Sequence, residues 1–290
     1  MTDLQKTEFE MLKIFIDICK KLDLTYYLVC GSALGAAKYQ GFIPWDDDID
    51  VAMPRDEYEL FIRKAPEMLP EWCFLQNYKT DLQFPLLGSK LRDSRTTYIE
   101  SMCDKLDINH GVFIDIFPLD EKWKTKKDQK EFTKLQREYE GKRRVRLVYN
   151  RFSPSYLFNI RNNFYYLIYR FFNIGAETWK IIKKYDEFIS AYDTKEHGIW
   201  CNHANSISVL EYAPYAQYGK GTELIFEGIK VRVPENYDAY LTQKYGDWRA
   251  DLPKEEQKGH HYYVVCDLNK SYKEYITKLP NGKIKVNYSK

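Results

Sequence analysis

Hydrophobic side chains recur every three to four positions in the first part of the chain. This spacing predicts an amphipathic helix over residues 3–22, whose apolar face packs against a core. The side chain of Thr2 or Asp3 is suited to cap its start. Helical spacing returns over residues 56–64, so at least two helices are expected to flank whatever lies between them.

The residues between these helices show the pattern of strands. Residues 24–30 are rich in aromatic and β-branched side chains and stop at Gly31-Ser32, which predicts a strand, a turn and then a short helix over residues 33–38. Residues 48–53 alternate acidic and apolar side chains at a period of two, which is typical of a strand. Further strands are expected over residues 72–76, 86–92 and 112–117, and a hairpin over residues 224–233 around Glu227-Gly228. The mixture predicts an α/β (α+β) fold with a mixed sheet and flanking helices.

A change in composition after residue 120 divides the chain into three parts. We expect a core over residues 1–120, a basic and aromatic helical insertion over residues 121–195, and a C-terminal part over residues 196–290 that completes the core domain. Asn and Arg interrupt the aromatic stretch of the insertion, so it is not expected to span a bilayer. Two interpretations stay open: the basic stretch over residues 142–174 lies on a membrane surface, or its aromatic side chains pack on the core.

The overall charge and the cysteines exclude several classes of protein. Lys and Arg number 44 against 42 acidic residues, so no global positive field draws the protein onto nucleic acid, and we expect no nucleic-acid partner. The six cysteines are scattered without a C-x-x-C pair, which indicates free thiols in a reducing compartment. The N-terminal residues lack the pattern of a signal peptide. We expect a cytoplasmic protein, with the inner face of the cytoplasmic membrane as the surface to which the insertion would attach.

Three aspartates carry the clearest chemical signal. At a period of two, Asp48 and Asp50 share one face of their predicted strand, and Asp115 is the single acid in the core-like segment GVFIDIFP. Carboxylates held so close require a cation between them, and hard oxygen ligands at this spacing suit Mg²⁺ or Mn²⁺. The alternatives are solvated acids at a sheet edge and an Asp115 that pairs with an arginine.

Small residues precede these acids at a strand-to-helix turn. Gly31-Ser32 would let a phosphate approach the backbone N–H groups at the start of a helix, although an ordinary turn has the same letters. Together, the turn and the three acids describe a phosphoryl or nucleotidyl transfer site. Metal ions there would neutralise a diphosphate while one acid accepts the proton of the attacking hydroxyl.

These motifs resemble a known family. The order Gly-Ser, acid-x-acid and later acid resembles the nucleotidyltransferase fold, and GSALGAAKYQGFIPWDDDIDVAMPRDEYELF resembles the signature of the LicD family, with the fukutin-related transferases as similar proteins. The resemblance continues through KLRDSRTTYIE, GVFIDIFPLD and the segment from FEGIKVRV to GHHY. It covers most of the chain and is weak over residues 121–195.

The resemblance implies an enzyme and a substrate class. The expected reaction is metal-dependent transfer of phosphocholine from CDP-choline to a sugar hydroxyl of a cell-surface glycan or its lipid-linked precursor, with release of CMP. A polyol-phosphate transferase that uses CDP-ribitol or CDP-glycerol is the first alternative. A catalytically silent glycan- or lipid-binding module is the alternative of another class.

The resemblance also implies roles for individual residues. Asp48, Asp50 and Asp115 match the catalytic metal-binding acids, and Gly31 and Ser32 match the nucleotide turn. Mg²⁺ or Mn²⁺ is the cofactor that these acids imply.

Other candidates surround this set of acids. Lys38 stands where the family has an arginine for the donor phosphates, and Trp45 is a candidate to stack on the base or hold the choline ammonium, or else a core residue. Lys90 and Arg92 share a face of their strand and are candidates for the donor phosphates or surface charges. His260 and His261 are candidates for the acceptor side.

Overall fold

The protein is described from a computed structural model. The structure describes residues 1–146, 178–192, 198–204, 211–259, 261–279 and 284–287. Most of the predicted membrane-facing stretch, from residue 147 onward, lies outside these ranges, and so does His260. The prediction of membrane attachment therefore stays a prediction. None of the helices in the described ranges combines the length and the apolar character needed to cross a membrane.

The chain alternates helices and strands up to residue 121 and again after the insertion. The helices are α1 (Asp3–Lys21), α2 (Cys30–Tyr39), α3 (Arg55–Lys64), α4 (Lys126–Arg146), α5 (Thr178–Tyr192), α6 (Tyr215–Tyr218) and α7 (Tyr237–Tyr245). The first strands are β1 (Tyr27–Leu28), β2 (Asp50–Pro54), β3 (Cys73–Gln76), β4 (Ser89–Asp93), β5 (Thr97–Glu100) and β6 (Val112–Glu121). The later strands are β7 (Ile199–Asn202), β8 (Glu211–Pro214), β9 (Thr222–Phe226), β10 (Ile229–Val233), β11 (Tyr263–Asp267), β12 (Ile276–Lys278) and β13 (Ile284–Val286).

A mixed sheet of seven strands forms the centre of the described protein. Its order is β1-β2-β6-β4-β3, and β7 adds to β6 and β8 to β7. β2 and β6 run parallel, and the other neighbours in the sheet run antiparallel. The predicted mixed α/β fold is thus confirmed. The parallel pair sets an acidic residue of β2 beside one of β6.

Helix α1 packs its apolar face on this sheet. Its buried side chains are Gln5, Glu8, Phe9, Met11, Leu12, Phe15, Ile16, Ile18 and Cys19. The Thr2 side chain accepts from the Gln5 N–H while the Gln5 side chain accepts from the Thr2 N–H, which forms a capping box. Each fully buried large apolar side chain contributes about 1.5–3 kcal/mol to folding. The predicted helix is confirmed, and a Gln and a Glu share its buried face.

A buried ion network ties the insertion to the sheet. The guanidinium of Arg55 on α3 donates to both carboxylate oxygens of Asp120 on β6, at 2.6 Å each, and to Asp186 on α5 at 2.9 Å. The hydroxyl of Tyr78 donates to the second Asp186 oxygen. Buried charges are tolerated when they are paired and hydrogen-bonded in this way. Helix α5 is therefore attached to the central sheet by charge as well as by apolar packing.

The C-terminal part returns to the N-terminal core. Strands β9 and β10 form the predicted hairpin, with Glu227 and Gly228 both at positive φ as a two-residue turn requires. Strand β11 pairs antiparallel with β5. This pairing brings the segment before β11 next to the parallel pair β2–β6.

Three predicted boundaries are corrected by the structure. The strand expected over residues 24–30 is only β1, because the N–H of Leu24 donates to the Cys19 carbonyl and belongs to the end of α1. The helix after β1 begins at Cys30, so Gly31-Ser32 lies in its first turn and not in a turn before it. Asp48 precedes β2, which begins at Asp50.

Candidate active site

Two aspartates face each other across the parallel strands. Asp50 on β2 is the register partner of Asp115 on β6, and the Asp115 N–H donates to the Ile49 carbonyl at 2.8 Å. Because neighbouring residues at the same register point to the same face of a sheet, both carboxylates lie on one side. Asp48 joins them although it stands before β2. Carboxylate oxygens of Asp48, Asp50 and Asp115 lie within 4.8 Å of one another.

The first turn of α2 fixes the start of β2. The Ser32 hydroxyl, which is buried, accepts a hydrogen bond from the Asp50 N–H at 2.9 Å. A Cβ at Gly31 would lie 2.7 Å from an Asp46 carboxylate oxygen, so a larger residue there would displace the Asp46 side chain. Gly31 and Ser32 therefore hold the acidic loop against α2. Their predicted approach to a phosphate stays a prediction.

The local charge raises the pKa of two of the acids. Burial raises the pKa of Asp48 to about 7, with Asp46 and Asp115 adding to the rise and His261 opposing it. Burial and the negative charge of Asp50 raise the pKa of Asp46 to about 6. Acids in such a cluster gain from a cation that neutralises them. The oxygen donors of Asp48, Asp50 and Asp115 therefore fit Mg²⁺ or Mn²⁺.

Lys90 lies beside these acids. It is the register partner of Asp115 on β4, and its ammonium is 3.1 Å from an Asp115 carboxylate oxygen and 3.6 Å from Glu100. The same ammonium stands 3.2 Å above the ring centroid of Phe113. Lys90 is 2% exposed, so it is not the surface charge of the alternative interpretation. It supplies a positive charge at the edge of the acidic cluster.

Arg92 requires a correction. The structure places its side chain at 0% exposure, with Nε bound to Gln76, Nη1 to the Gly111 carbonyl and Nη2 to Glu100. A guanidinium whose three nitrogens all have protein partners in the core is not available to a donor phosphate in this conformation. Burial would raise the pKa of Glu100, but Lys90 and Arg92 lower it to about 2. Arg92 thus keeps Glu100 ionised beside Lys90.

Lys38 and Trp45 lie at the end of α2 and in the loop before the acids. The Lys38 ammonium donates to the Ala250 carbonyl at 2.7 Å and pairs with Asp251 at 2.8 Å, which raises its pKa. Trp45 packs edge-to-face against Tyr39, with ring centroids 6.3 Å apart. The Lys38 contacts connect the end of α2 to the C-terminal part, and the Trp45 contact joins the loop to α2. Roles of Lys38 and Trp45 in donor binding stay predictions.

His261 lies at the acidic cluster. Its backbone N–H and its ring Nδ1 are each 3.2 Å from the Asp47 carboxylate, and its Nε2 is 3.8 Å from Asp48. Burial would lower the pKa of His261, but the hydrogen bond to Asp47 and the charge of Asp48 raise it to about 10. The imidazole is therefore a cation at neutral pH. The structure brings His261 to the acidic cluster, where the sequence indicated only the acceptor side.

The sequence interpretation missed Gln5 and Glu8 on α1. The Gln5 amide donates to the carbonyls of Asp46 at 2.9 Å and Ile43 at 3.3 Å, which holds the loop before the acids. Burial and the nearby aspartates, Asp48 first, raise the pKa of Glu8 well above its ordinary value. A signal existed: both residues occupy core positions of an otherwise apolar helical face.

Comparisons with known proteins agree with this arrangement. Residues 23–145 match the family described as LicD/FKTN/FKRP, nucleotidyltransferase domain, a range that includes Ser32 and all three aspartates of the cluster. The chain is also 28% identical over 261 residues to the lipopolysaccharide cholinephosphotransferase LicD of Haemophilus influenzae. That alignment covers 87% of this chain and 92% of the relative.

Proposed function

Because residues 23–145 form a LicD-family nucleotidyltransferase domain, we propose that the protein transfers phosphocholine from CDP-choline to a sugar hydroxyl of a cell-surface glycan or its lipid-linked precursor. CMP is the second product. The similarity to a cholinephosphotransferase over most of both chains supports a phosphotransferase of this class.

One observation of the structure carries the proposal. Oxygens of Asp48, Asp50 and Asp115 converge within 4.8 Å at the parallel pair of strands, and burial, together with the charges of Asp46 and Asp115, raises the pKa of Asp48. A cation bound there would favour the ionised carboxylates. These three residues would hold the Mg²⁺ or Mn²⁺ ion. When bound, the ion would neutralise the charge of the donor diphosphate and of the departing CMP. A binding module has no need of carboxylates held this close.

Residues of the chain itself position the reaction. Ser32 holds the Asp50 backbone, and Gln5 holds the loop that precedes the acids. Lys90 balances part of the negative charge of Asp115 at the edge of the cluster, and its predicted contact with the donor phosphates stays a prediction. A carboxylate oxygen of the acidic cluster accepts the proton of the attacking sugar hydroxyl. The sugar oxygen then attacks the choline-bearing phosphorus while the bond between this phosphorus and CMP breaks.

Release of CMP tests the proposal directly. The purified protein is incubated with CDP-choline, CDP-ethanolamine, CDP-glycerol or CDP-ribitol, each with Mg²⁺, with Mn²⁺ or with EDTA. We expect metal-dependent release of CMP from CDP-choline, even without acceptor, since water can replace the sugar hydroxyl slowly. The Asp50→Asn variant is the control for contaminating hydrolases.

The other outcomes identify the alternatives. Metal-dependent release from CDP-ribitol or CDP-glycerol alone would establish a polyol-phosphate transferase. If no donor yields CMP and calorimetry detects no binding of any CDP-alcohol in the presence of Mg²⁺, the proposal fails in favour of a silent glycan- or lipid-binding module.

A further inference from the structure

Two exposed tyrosines directly follow the histidine of the acidic cluster. Tyr262 is 76% exposed and Tyr263 is 52% exposed, whereas His261 before them contacts Asp47. Single exposed aromatic residues are ordinary on a protein surface. The surroundings of Tyr263 distinguish it from such residues.

Tyr263 is the outer end of a row of aromatic rings that begins at the acids. Its ring centroid lies 5.1 Å from Tyr98, Tyr98 lies 5.7 Å from Phe113, and Phe113 lies 5.7 Å from His261. Tyr98 and Phe113 are at most 3% exposed. Tyr263 is therefore the most exposed ring of this row, and the buried ring of Tyr98 packs against it.

The backbone around Tyr263 is held firmly. Tyr263 opens strand β11 opposite Glu100 of β5, and the Tyr262 carbonyl accepts from the Ser101 N–H at 2.8 Å. His261, two residues before, is bound to Asp47 through its backbone and its ring. Tyr263 thus follows, two residues along the chain, the histidine that contacts the acidic loop.

We propose that Tyr263 is the platform on which a sugar ring of the acceptor glycan stacks, an inference that rests on the proposed function. A pyranose has one face of C–H bonds and a rim of hydroxyls. Such a ring lays its apolar face on the electron-rich face of an exposed aromatic side chain and leaves its hydroxyls in water or turned to the reaction. An exposed ring that is linked to His261 through Tyr98 and Phe113 matches this need.

The choline group of the donor is the competing occupant, and the surroundings of Tyr263 favour the sugar. A quaternary ammonium is bound by aromatic rings that enclose it and by a nearby negative charge. Glu100, the carboxylate opposite Tyr263, is already paired with Lys90 and Arg92. The neighbouring Tyr98 is buried, so among the residues that the structure describes Tyr263 has one open face and no second ring that would enclose a ligand.

Binding of simple sugars tests the platform without knowledge of the natural acceptor. Saturation-transfer NMR is recorded with the methyl β-glycosides of glucose, galactose, N-acetylglucosamine and N-acetylgalactosamine. We expect saturation transfer to the C–H protons of at least one glycoside, an about fivefold or greater loss of affinity in Tyr263→Ala, and retention in Tyr263→Phe, which keeps the ring.

Tyr212→Ala is the matched control. Tyr212 is 41% exposed but lies on β8, which joins the sheet through β7 at Asp120. Asp120 lies five positions after Asp115 on β6, which is about 17 Å along the strand. We expect this variant to bind the glycosides like the wild type.

Two kinds of result overturn the platform. One is the absence of saturation transfer for all four glycosides with the wild type, or its persistence in a folded Tyr263→Ala variant. The other is a loss of CDP-choline affinity in Tyr263→Ala with unchanged glycoside binding, which would assign the ring to choline. Failure of the proposed function is distinguishable, because glycosides would then still bind through Tyr263 while no CDP-alcohol yields CMP.

Discussion

His261 and Asp47 are joined by two hydrogen bonds across 214 positions of the sequence. The carboxylate of Asp47 lies so close to the backbone before this histidine that a Cβ at Gly259 would stand 2.5 Å from it. Hydrogen bonds therefore join the acidic loop to the C-terminal segment at the candidate active site. Asp47 therefore connects the acidic loop to His261, while oxygens of Asp48, Asp50 and Asp115 converge beside it.

Loss of the hydrogen bonds between His261 and Asp47 is expected to lower the free energy of unfolding in a pH-dependent manner. His261→Ala should lower the free energy of unfolding by about 1–3 kcal/mol at pH 7, since a charged hydrogen bond is lost. The pKa of His261 is raised from 6.5 to about 10, so its contribution is complete below pH 6.5 and disappears as pH rises through about 10. Denaturant titrations in EDTA at pH 7 and 10.5 measure this difference, with Lys258→Ala as control. Equal losses at both pH values would contradict the assignment of the charge.

Asp50→Asn should abolish catalysis without unfolding the protein. The variant keeps the backbone N–H that binds Ser32 but removes one negative ligand from the cluster. We expect turnover to fall by about three orders of magnitude or more, with a cooperative unfolding transition. Initial rates of metal-dependent CMP release measure it. The control is Asp17→Asn, which changes an exposed acid of α1, and near-native activity of Asp50→Asn would show that the metal assignment is wrong.

A buried histidine away from the acids predicts loss of stability in mild acid. Burial and the charge of Arg92 lower the pKa of His110 from 6.5 to about 4, so folding excludes the proton that the unfolded chain binds. Its contribution is present above pH 6.5 and is lost as pH falls towards 4, by roughly 3 kcal/mol.

His110→Gln isolates this effect, because an amide retains a donor for the Leu106 carbonyl but does not titrate. Free energies of unfolding are compared at pH 7 and pH 4. The wild type should lose more stability than the variant over this range, and parallel losses would contradict the prediction.

The network around Arg55 predicts a strong effect of a residue in the insertion. Asp186→Ala removes an acceptor from both Arg55 and the Tyr78 hydroxyl, and leaves buried donors behind. We expect a loss of about 3 kcal/mol in the free energy of unfolding. Glu187→Ala, at the exposed neighbouring acid, should change it by less than about 0.5 kcal/mol. Equal effects of the two variants would show that α5 is not held by this network.

Local patterns predicted the parts of the fold that depend on local physics. The three-to-four spacing identified α1 and α3, and the turn chemistry of Glu227-Gly228 identified the β9–β10 hairpin. The alternation around Asp50 indicated that acids would converge with Asp115, although Asp48 reaches the cluster from a loop rather than from the strand. The motif order also indicated the family.

Contacts between distant segments account for what the sequence did not reveal. Alternation on β4 suggested that Arg92 shares the role of Lys90, but every residue of β4 is buried, so the strand has no solvent face and each charge needs its own partner. Whether a strand is covered on both sides depends on elements elsewhere in the chain. The same holds for His261, whose place was decided by the pairing of β11 with β5.

The hydrogen bonds between His261 and Asp47 limit which fragments of the protein can be expressed separately. The segment that the family model matches, residues 23–145, lacks α1 with Gln5. It also lacks Asp186, which pairs with Arg55, and strand β11, which pairs with β5. A fragment cut at these positions would expose the loop of the acids and leave a buried arginine with one acceptor fewer. The range matched by the family model is thus smaller than the set of residues that holds the acidic loop in place, and expression of the chain in pieces should begin from boundaries that keep both ends.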